Sequence, residues 1–283
     1  MGKTSNRVKA IEGQVARIGR LGAQPTEAVA QEVMTLPQPQ DWVLDSGEHQ
    51  SGGWWTCSLL NASGDPRDVT LQDCDPAPTT LLERMPATRT LLESLGLHYM
   101  WARLARLEAK SFLWEHRDYG NLSEAERHRL HIPLHTNPSA YLVTRGAKVH
   151  MYAGHMWRLT PTHQHGVCNL DGPDRIHLLL DCYADDAYRS RAATAELLDG
   201  DVEQLPDITA DQLAEAKITA RRLAEGGDIS GAENRLLRLF YLYALPEGRI
   251  YDLVMDLHRT LGREQDVRRW REHKRLALKQ DAA

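Results

Sequence analysis

The chain has only four cysteines, and none is paired at metal-ligand spacing. Cys57, Cys74, Cys168 and Cys182 stand apart in the sequence, so no CxxC motif builds a structural zinc site. Free thiols in a reducing cytoplasm are the expectation. Long apolar runs are missing too. No stretch approaches the ~20 residues that cross a bilayer. The N-terminus, MGKTSNRVKAIEGQVARIGRLG, lacks the apolar segment of a secretory signal. Its Met-Gly start carries Ser5 rather than a hydroxyl residue at the usual position, a poor myristoylation signal. An excess of positive charge is also absent. The formal net charge is −5, which gives no general attraction to nucleic acid.

What is present is the composition of a soluble globular protein, 42% hydrophobic and 26% charged. A length of 283 residues suggests one large domain, or one with a smaller companion. Residues 1–24 read as one amphipathic helix, with Val8, Ile11, Val15 and Ile18 at helical spacing and a stop near Gly22. From about residue 36 to 183, turn-rich segments separate short apolar runs. The strand candidates are DWVLDSG, WWTCSLLNASG, MWARLARLEA, RLHIPLHTN, AYLVTRGAKVHMYAGHMWRL and RIHLLLDCYA. TRG reads as a hairpin turn, and a helix is expected near 79–95. This pattern predicts an antiparallel sandwich or jelly roll. After about 185 it switches to four helices, the first capped by Thr209. Gly227 then Ala232, and Gly262 then Val267, echo each other at an offset of 35 residues, a spacing like that of tetratricopeptide hairpins. The expected organisation is a helix at 1–24, a β domain at 25–185 and a helical domain at 186–283 packed on the sheets.

Thirteen histidines occur, seven of them between 128 and 165. One further histidine draws the eye. In FLWEHRDYG, residues 112–120, His116 and Asp118 are two apart, so on a strand both point to one face. That is either a hydrogen-bonded polar pair or two-thirds of a metal site. His165, in THQHGVCN, is a third candidate, and Arg175 follows ten residues later on the next strand candidate. His163 is the alternative third ligand; the interval to Arg175 favours His165. Two imidazoles and one carboxylate on one face of a metal leave positions open, which suits non-haem Fe(II) with a cosubstrate and O2. An arginine is the natural partner of a cosubstrate carboxylate, because its planar fork binds both oxygens. His128, His150, His177, His258 and His273 show no ligand spacing. Trp54 and Trp55 face opposite ways on a strand, so at most one lines a pocket.

Together RLEAKSFLWEHRDYG, HRLHIPLHTNPSAYL and MYAGHMWRLTPTHQHGVCNLDGPDRIHLLLDCY make roughly residues 35–185 resemble the aspartyl/asparaginyl β-hydroxylase family of Fe(II)/2-oxoglutarate dioxygenases. Bacterial free-proline hydroxylases are similar members. The resemblance implies a double-stranded β-helix (jelly-roll) core. It implies His116, Asp118 and His165 as iron ligands and Arg175 as the partner of 2-oxoglutarate. Arg129 and His131 match positions lining the cosubstrate and substrate pocket. Trp157 matches the aromatic of the family's GExW strand, where His155 replaces the acidic residue. The retained Asp118 favours a hydroxylase over a halogenase. The implied reaction hydroxylates an amino acid, free or peptide- or carrier-bound, with succinate and carbon dioxide as co-products.

His135, Thr136 and Asn137, just after RLHIPL, are candidate substrate-mouth residues. Arg129 shares a strand face with His131 and is the better candidate for a substrate carboxylate; Arg117 should point away. A competing reading makes the β domain a silent binding module, with the helices as an adaptor for a protein partner. The complete pattern of four groups argues against it.

Overall fold

A computed structural model describes residues 6–44, 49–118 and 126–279. Among these lie thirteen strands and nine α-helices. The strands are β1 (Val15–Arg20), β2 (Val43–Leu44), β3 (Trp54–Asn61), β4 (Ala77–Pro78), β5 (Tyr99–Leu107), β6 (Ser111–Phe112), β7 (Arg127–His135), β8 (Ala140–Thr144), β9 (Ala147–Val149), β10 (His155–Leu159), β11 (Gly166–Asn169), β12 (Arg175–Tyr183) and β13 (Val202–Gln204). The helices are α1 (Asn6–Glu12), α2 (Ala23–Thr35), α3 (Thr80–Glu83), α4 (Pro86–Leu95), α5 (Asp186–Ala192), α6 (Ala210–Glu225), α7 (Ile229–Leu237), α8 (Arg249–Thr260) and α9 (Glu264–Ala277).

The strands form two antiparallel sheets. The larger runs β1-β10-β7-β12-β5-β3-β2, with β4 on β3; the smaller runs β13-β9-β8-β11-β6. From β5 to β12 the chain passes back and forth between them. β5, β7, β10 and β12 enter the large sheet, and β6, β8, β9 and β11 the small one. The hairpin expected at TRG joins β8 to β9. Arg145 and Gly146 both have positive φ there, 48° and 70°, as a two-residue type I′ turn requires.

Period-two alternation sorts side chains into layers. On β12, Ile176, Leu178, Leu180 and Cys182 face outward and pack beneath α2, α3, α4 and α5, together with Leu130, Ile132 and Leu134 of β7. Leu179, by contrast, joins Trp54, Leu107, Leu142, Trp157 and Val167 between the sheets. The outer face of the small sheet is covered by the C-terminal helices. Phe112, Val143, Cys168 and Leu170 share one apolar cluster with Leu236, Tyr251, Val254 and Trp270.

Three expectations need correction. The helix assigned to residues 1–24 is a short helix, α1, followed by strand β1; residues 1–5 lie outside the described residues. Val15 and Ile18 mimic helical spacing, yet they face opposite sides of the sheet, Val15 into the sandwich and Ile18 beneath the outer helices. The helix near 79–95 is two helices, because Pro86 starts a new one at its first turn. Of the DWVLDSG strand only Val43–Leu44 is strand, and its last three residues fall outside the described set. The four C-terminal helices are present. Gly227 and Gly262 occupy left-handed turns, with φ of 93° and 69°. Ala232 and Val267 are buried five residues beyond them, which accounts for the repeat in the sequence.

Candidate active site

His116, Asp118 and His165 converge. Their ligand-type atoms all lie within 4.8 Å of one another, and among the described residues no other such group of three occurs. The His116 Nε2 is 3.7 Å from one Asp118 oxygen, and the His165 Nε2 is 3.9 Å from the other. His163 is exposed and lies outside this group.

Local backbone pairing produces this convergence, although residues 112–118 are not one regular strand. Phe112 pairs with Cys168 in the β6·β11 ladder, and His116 with His165 in an isolated bridge. Four steps along one segment oppose three along the other, which is a bulge, a device that re-aims side chains. The His116 N–H donates to the His165 carbonyl at 2.8 Å, and the His165 N–H to that of His116 at 2.9 Å. The Asp118 N–H donates to Pro161 O.

Both imidazoles are fixed in one tautomer. Nδ1 of His116 lies 2.6 Å from Trp114 O, and Nδ1 of His165 lies 2.8 Å from His163 O. A carbonyl only accepts, so each Nδ1 holds a proton and each Nε2 keeps its lone pair for a metal. Burial, then the neighbouring His116, lowers the His165 pKa to about 3, so its imidazole is neutral. Burial alone would raise the pKa of Asp118. The Arg129 guanidinium outweighs it and holds this carboxyl well below the usual range. Two oriented imidazole nitrogens and one carboxylate form an N/N/O donor set that fits Fe(II).

Beside the triad, the inner face of the large sheet is polar. Asp181 is buried and accepts from Arg129 Nε at 2.8 Å and Arg103 Nη1 at 2.7 Å. Arg129 also donates to Asp118. Arg175 is buried as well. Its Nη2 lies 2.8 Å from His177 Nδ1 and 3.5 Å from His131 Nδ1. Its Nη1 and the Nε2 atoms of both histidines are buried without hydrogen-bond partners. Burial draws the Arg175 pKa down to about 9, which leaves it cationic near neutral pH. Burial and then Arg175 press His131 and His177 well below the ordinary histidine range. The result is a buried cation with open donors and, among the described residues, no carboxylate bonded to it, a cradle of the kind an anionic cosubstrate fills.

A cavity of about 230 Å³ adjoins the triad, lined by His116, Asp118, Arg103, Arg129, Trp101, Trp54, Leu71 and Val69 among others. Trp55 points the other way and donates to Glu108, so one of the two tryptophans lines the pocket. Arg117 turns away to Glu247, as expected.

Three residues assigned to the substrate lie elsewhere. Trp157 is fully buried between the sheets, its Nε1 donating to Tyr152 O. Asn137 clamps a loop through Ser139, Asn169 and Pro173 O. His135 lines a different cavity, with Trp42, Arg106 and Thr136. Reading the sequence also passed over Arg103, His177 and Asp181. His177 and Asp181 stand two and six residues beyond Arg175 on the same strand, so period-two alternation was the available signal. Arg103 comes from β5, and nothing in its local sequence marks it.

The family model for aspartyl/asparaginyl β-hydroxylase matches residues 24–185. The chain belongs to the aspartyl/asparaginyl β-hydroxylase family. As a member it is an Fe(II)- and 2-oxoglutarate-dependent hydroxylase. The matched segment of the hydroxylase contains the triad, Arg175 and every residue of the polar sheet face. Among curated proteins it is similar to L-proline cis-3-hydroxylase 1 of a Streptomyces species, 26% identical over 235 residues that cover 78% of this chain and 80% of that one. Among solved structures it is similar to a 2OG-Fe(II) oxygenase-family oxidoreductase from Burkholderia pseudomallei, with a TM-score of 0.41, 14% identity, and coverage of 59% and 81%. A Pseudomonas putida prolyl-4-hydroxylase gives a TM-score of 0.40 and 15% identity, covering 62% of this chain and 95% of that one. No helix of the hydroxylase among the described residues is long and apolar enough to cross a membrane.

Proposed function

We propose that this hydroxylase acts on an unactivated C–H bond of a small free amino acid. His116, Asp118 and His165 hold Fe(II), and Arg175, with His131 beside it, holds the distal carboxylate of 2-oxoglutarate. The bound iron and cosubstrate supply the oxidising power; the chain supplies placement and a site shielded from water. Arg129 orients the ligand Asp118 and walls the substrate cavity. One observation carries the reading: a buried guanidinium with unfilled donors stands on the same sheet face as the groups that orient the three-ligand cluster. The cavity's volume of about 230 Å³ favours an amino acid over a folded protein segment. The similarity to a proline hydroxylase points the same way.

The alternation of β5–β12 between two sheets supports a double-stranded β-helix for the catalytic region; β1 and β13 extend its sheets, so the region expected at 25–185 takes in residues 15–204, and α6–α9 form the helical unit docked against it. The four cysteines are unpaired and three are buried, which suits a reducing cytoplasm. The helices turn apolar residues onto the small sheet, which supports a role within the fold.

The test is turnover with Fe(II), 2-oxoglutarate and a panel of amino acids and short peptides. Succinate release with the gain of one oxygen atom on a free amino acid is expected, and Arg175→Gln should raise the 2-oxoglutarate KM at least ~10-fold. Oxygen gain on peptides alone would overturn the free-amino-acid reading. No succinate with any substrate would return the chain to the binding-module reading.

A further inference from the structure

The C-terminal helices touch the metal-binding segment at almost every residue. The Tyr241 hydroxyl sits between the carbonyls of Leu113 and Val167. The Trp114 indole packs on Trp270, with ring centroids 4.8 Å apart. Glu115 is buried. Its carboxylate accepts from the Gly248 N–H at 2.9 Å, at the start of α8, and its carbonyl accepts from the Tyr251 hydroxyl at 2.6 Å. The Arg117 N–H donates to Ala277 O, and its guanidinium pairs with Glu247 at 2.7 Å. His116 alone in this run is left to the sheet, through its reciprocal bridge with His165.

This arrangement answers a weakness of the fold. β6 is the last strand of the small sheet, flanked on its outer side, among the described residues, only by residues 49–51, where the Ser51 N–H donates to Phe112 O and the Trp114 N–H to His49 O, and its pairing with β11 is broken by the bulge that aims His116. A bulged segment backed by so short a pairing has freedom to shift, whereas a metal ligand set must be held to within about half an ångström. We propose that the helical unit is a positioning element of the metal centre: Tyr241, Tyr251 and the α8 N-terminus fix segment 113–117 so that His116 and Asp118 meet His165. This rests on the assignment of those three residues as metal ligands. The unit therefore acts on the chemistry through the segment's backbone, without lining the cavity, and Tyr241 and Tyr251 are positioning residues.

Tyr→Phe removes one hydroxyl and keeps the ring. The experiment measures Co(II) binding to the full chain by calorimetry, without substrate, for wild type, Tyr251→Phe and Tyr241→Phe/Tyr251→Phe. Thr209→Ala serves as control, since it removes the α6 N-cap far along the helical unit and touches nothing in the segment. Loss of the hydroxyls should weaken Co(II) binding about 10-fold or more, as removal of outer partners of metal ligands does, with Thr209→Ala unchanged. kcat should fall with the KM for 2-oxoglutarate preserved, because the Arg175 cradle belongs to the large sheet. Wild-type affinity in folded Tyr251→Phe overturns the proposal, as does an equal loss in Thr209→Ala, which would mark general destabilisation. Wild type that binds no Co(II) overturns the ligand assignment itself, and the positioning role with it. Should the double variant fail to fold, the single variant decides.

Discussion

Arg175 poses the sharpest electrostatic problem in the molecule. A buried cation is costly without an anion, and its nearest polar neighbours are the imidazoles of His131 and His177. Both rings stay neutral, held well below the ordinary range by burial first and by Arg175 second. Linkage fixes the sign of the consequence. On unfolding these rings regain a pKa near ~6.5 and take up protons below it, which the folded rings do not. Their stabilising contribution is therefore complete above ~6.5 and is lost as pH falls below it. Thermal melts of the metal-free protein should show Tm falling between about pH 7.5 and pH 5, less steeply in His177→Gln. Parallel slopes would mean that His177 is charged in the fold. Sequence singled out His116 and Asp118 by two-residue spacing, and His165, over His163, with Arg175 by order, interval and family resemblance; the fold brings the first three together. Sequence left His177 among the unremarkable histidines, because it is the buried guanidinium beside it, seen only in three dimensions, that gives the ring its role.

At the scale of elements, turns and bulges decide where the ligands go. The β8–β9 hairpin places two positive-φ residues in a space closed by the helical unit. A Cβ at Gly146 would come within 2.9 Å of the Ala244 Cβ, at a φ of 70° that side chains adopt only with strain. Gly146→Ala should lower stability by about 1–2 kcal/mol from backbone strain alone, and more if Ala244 cannot shift. Urea unfolding measures it, and an unchanged midpoint would show that the turn relaxes freely. The hairpin was readable in advance because its turn chemistry is local. The β6 bulge was not, since it depends on which residues of β11 lie opposite. The first helix was misread for a related reason: Val8, Ile11, Val15 and Ile18 satisfy helical spacing by number, while pairing with β10 turns Val15 and Ile18 to opposite faces.

At the scale of the whole chain, the change in texture near residue 185 precedes the architectural seam, since α5 and β13 still belong with the sheets and only α6–α9 lie beyond it, and apolar packing crosses that seam. Phe112, Val143, Cys168 and Leu170 of the small-sheet side are buried in the same cluster as Leu236, Tyr251 and Trp270. Tyr241, Gly248 and Tyr251 bond across the same seam. A unit removed at the seam would leave a large apolar face in water, so each part lends the other its stability. Tryptophan fluorescence, which includes Trp54 and Trp101 at the cavity, and far-ultraviolet dichroism, which is weighted to α6–α9, should therefore report one coincident unfolding transition. Co(II) at about 100 times its Kd should move both probes together, in step with a stabilisation of about 2.7 kcal/mol, because a ligand of the folded state alone stabilises the entire cooperative unit. Two separated transitions, with metal shifting only the fluorescence, would show that α6–α9 melt independently of the site they cover and that the seam after β13 is a true boundary.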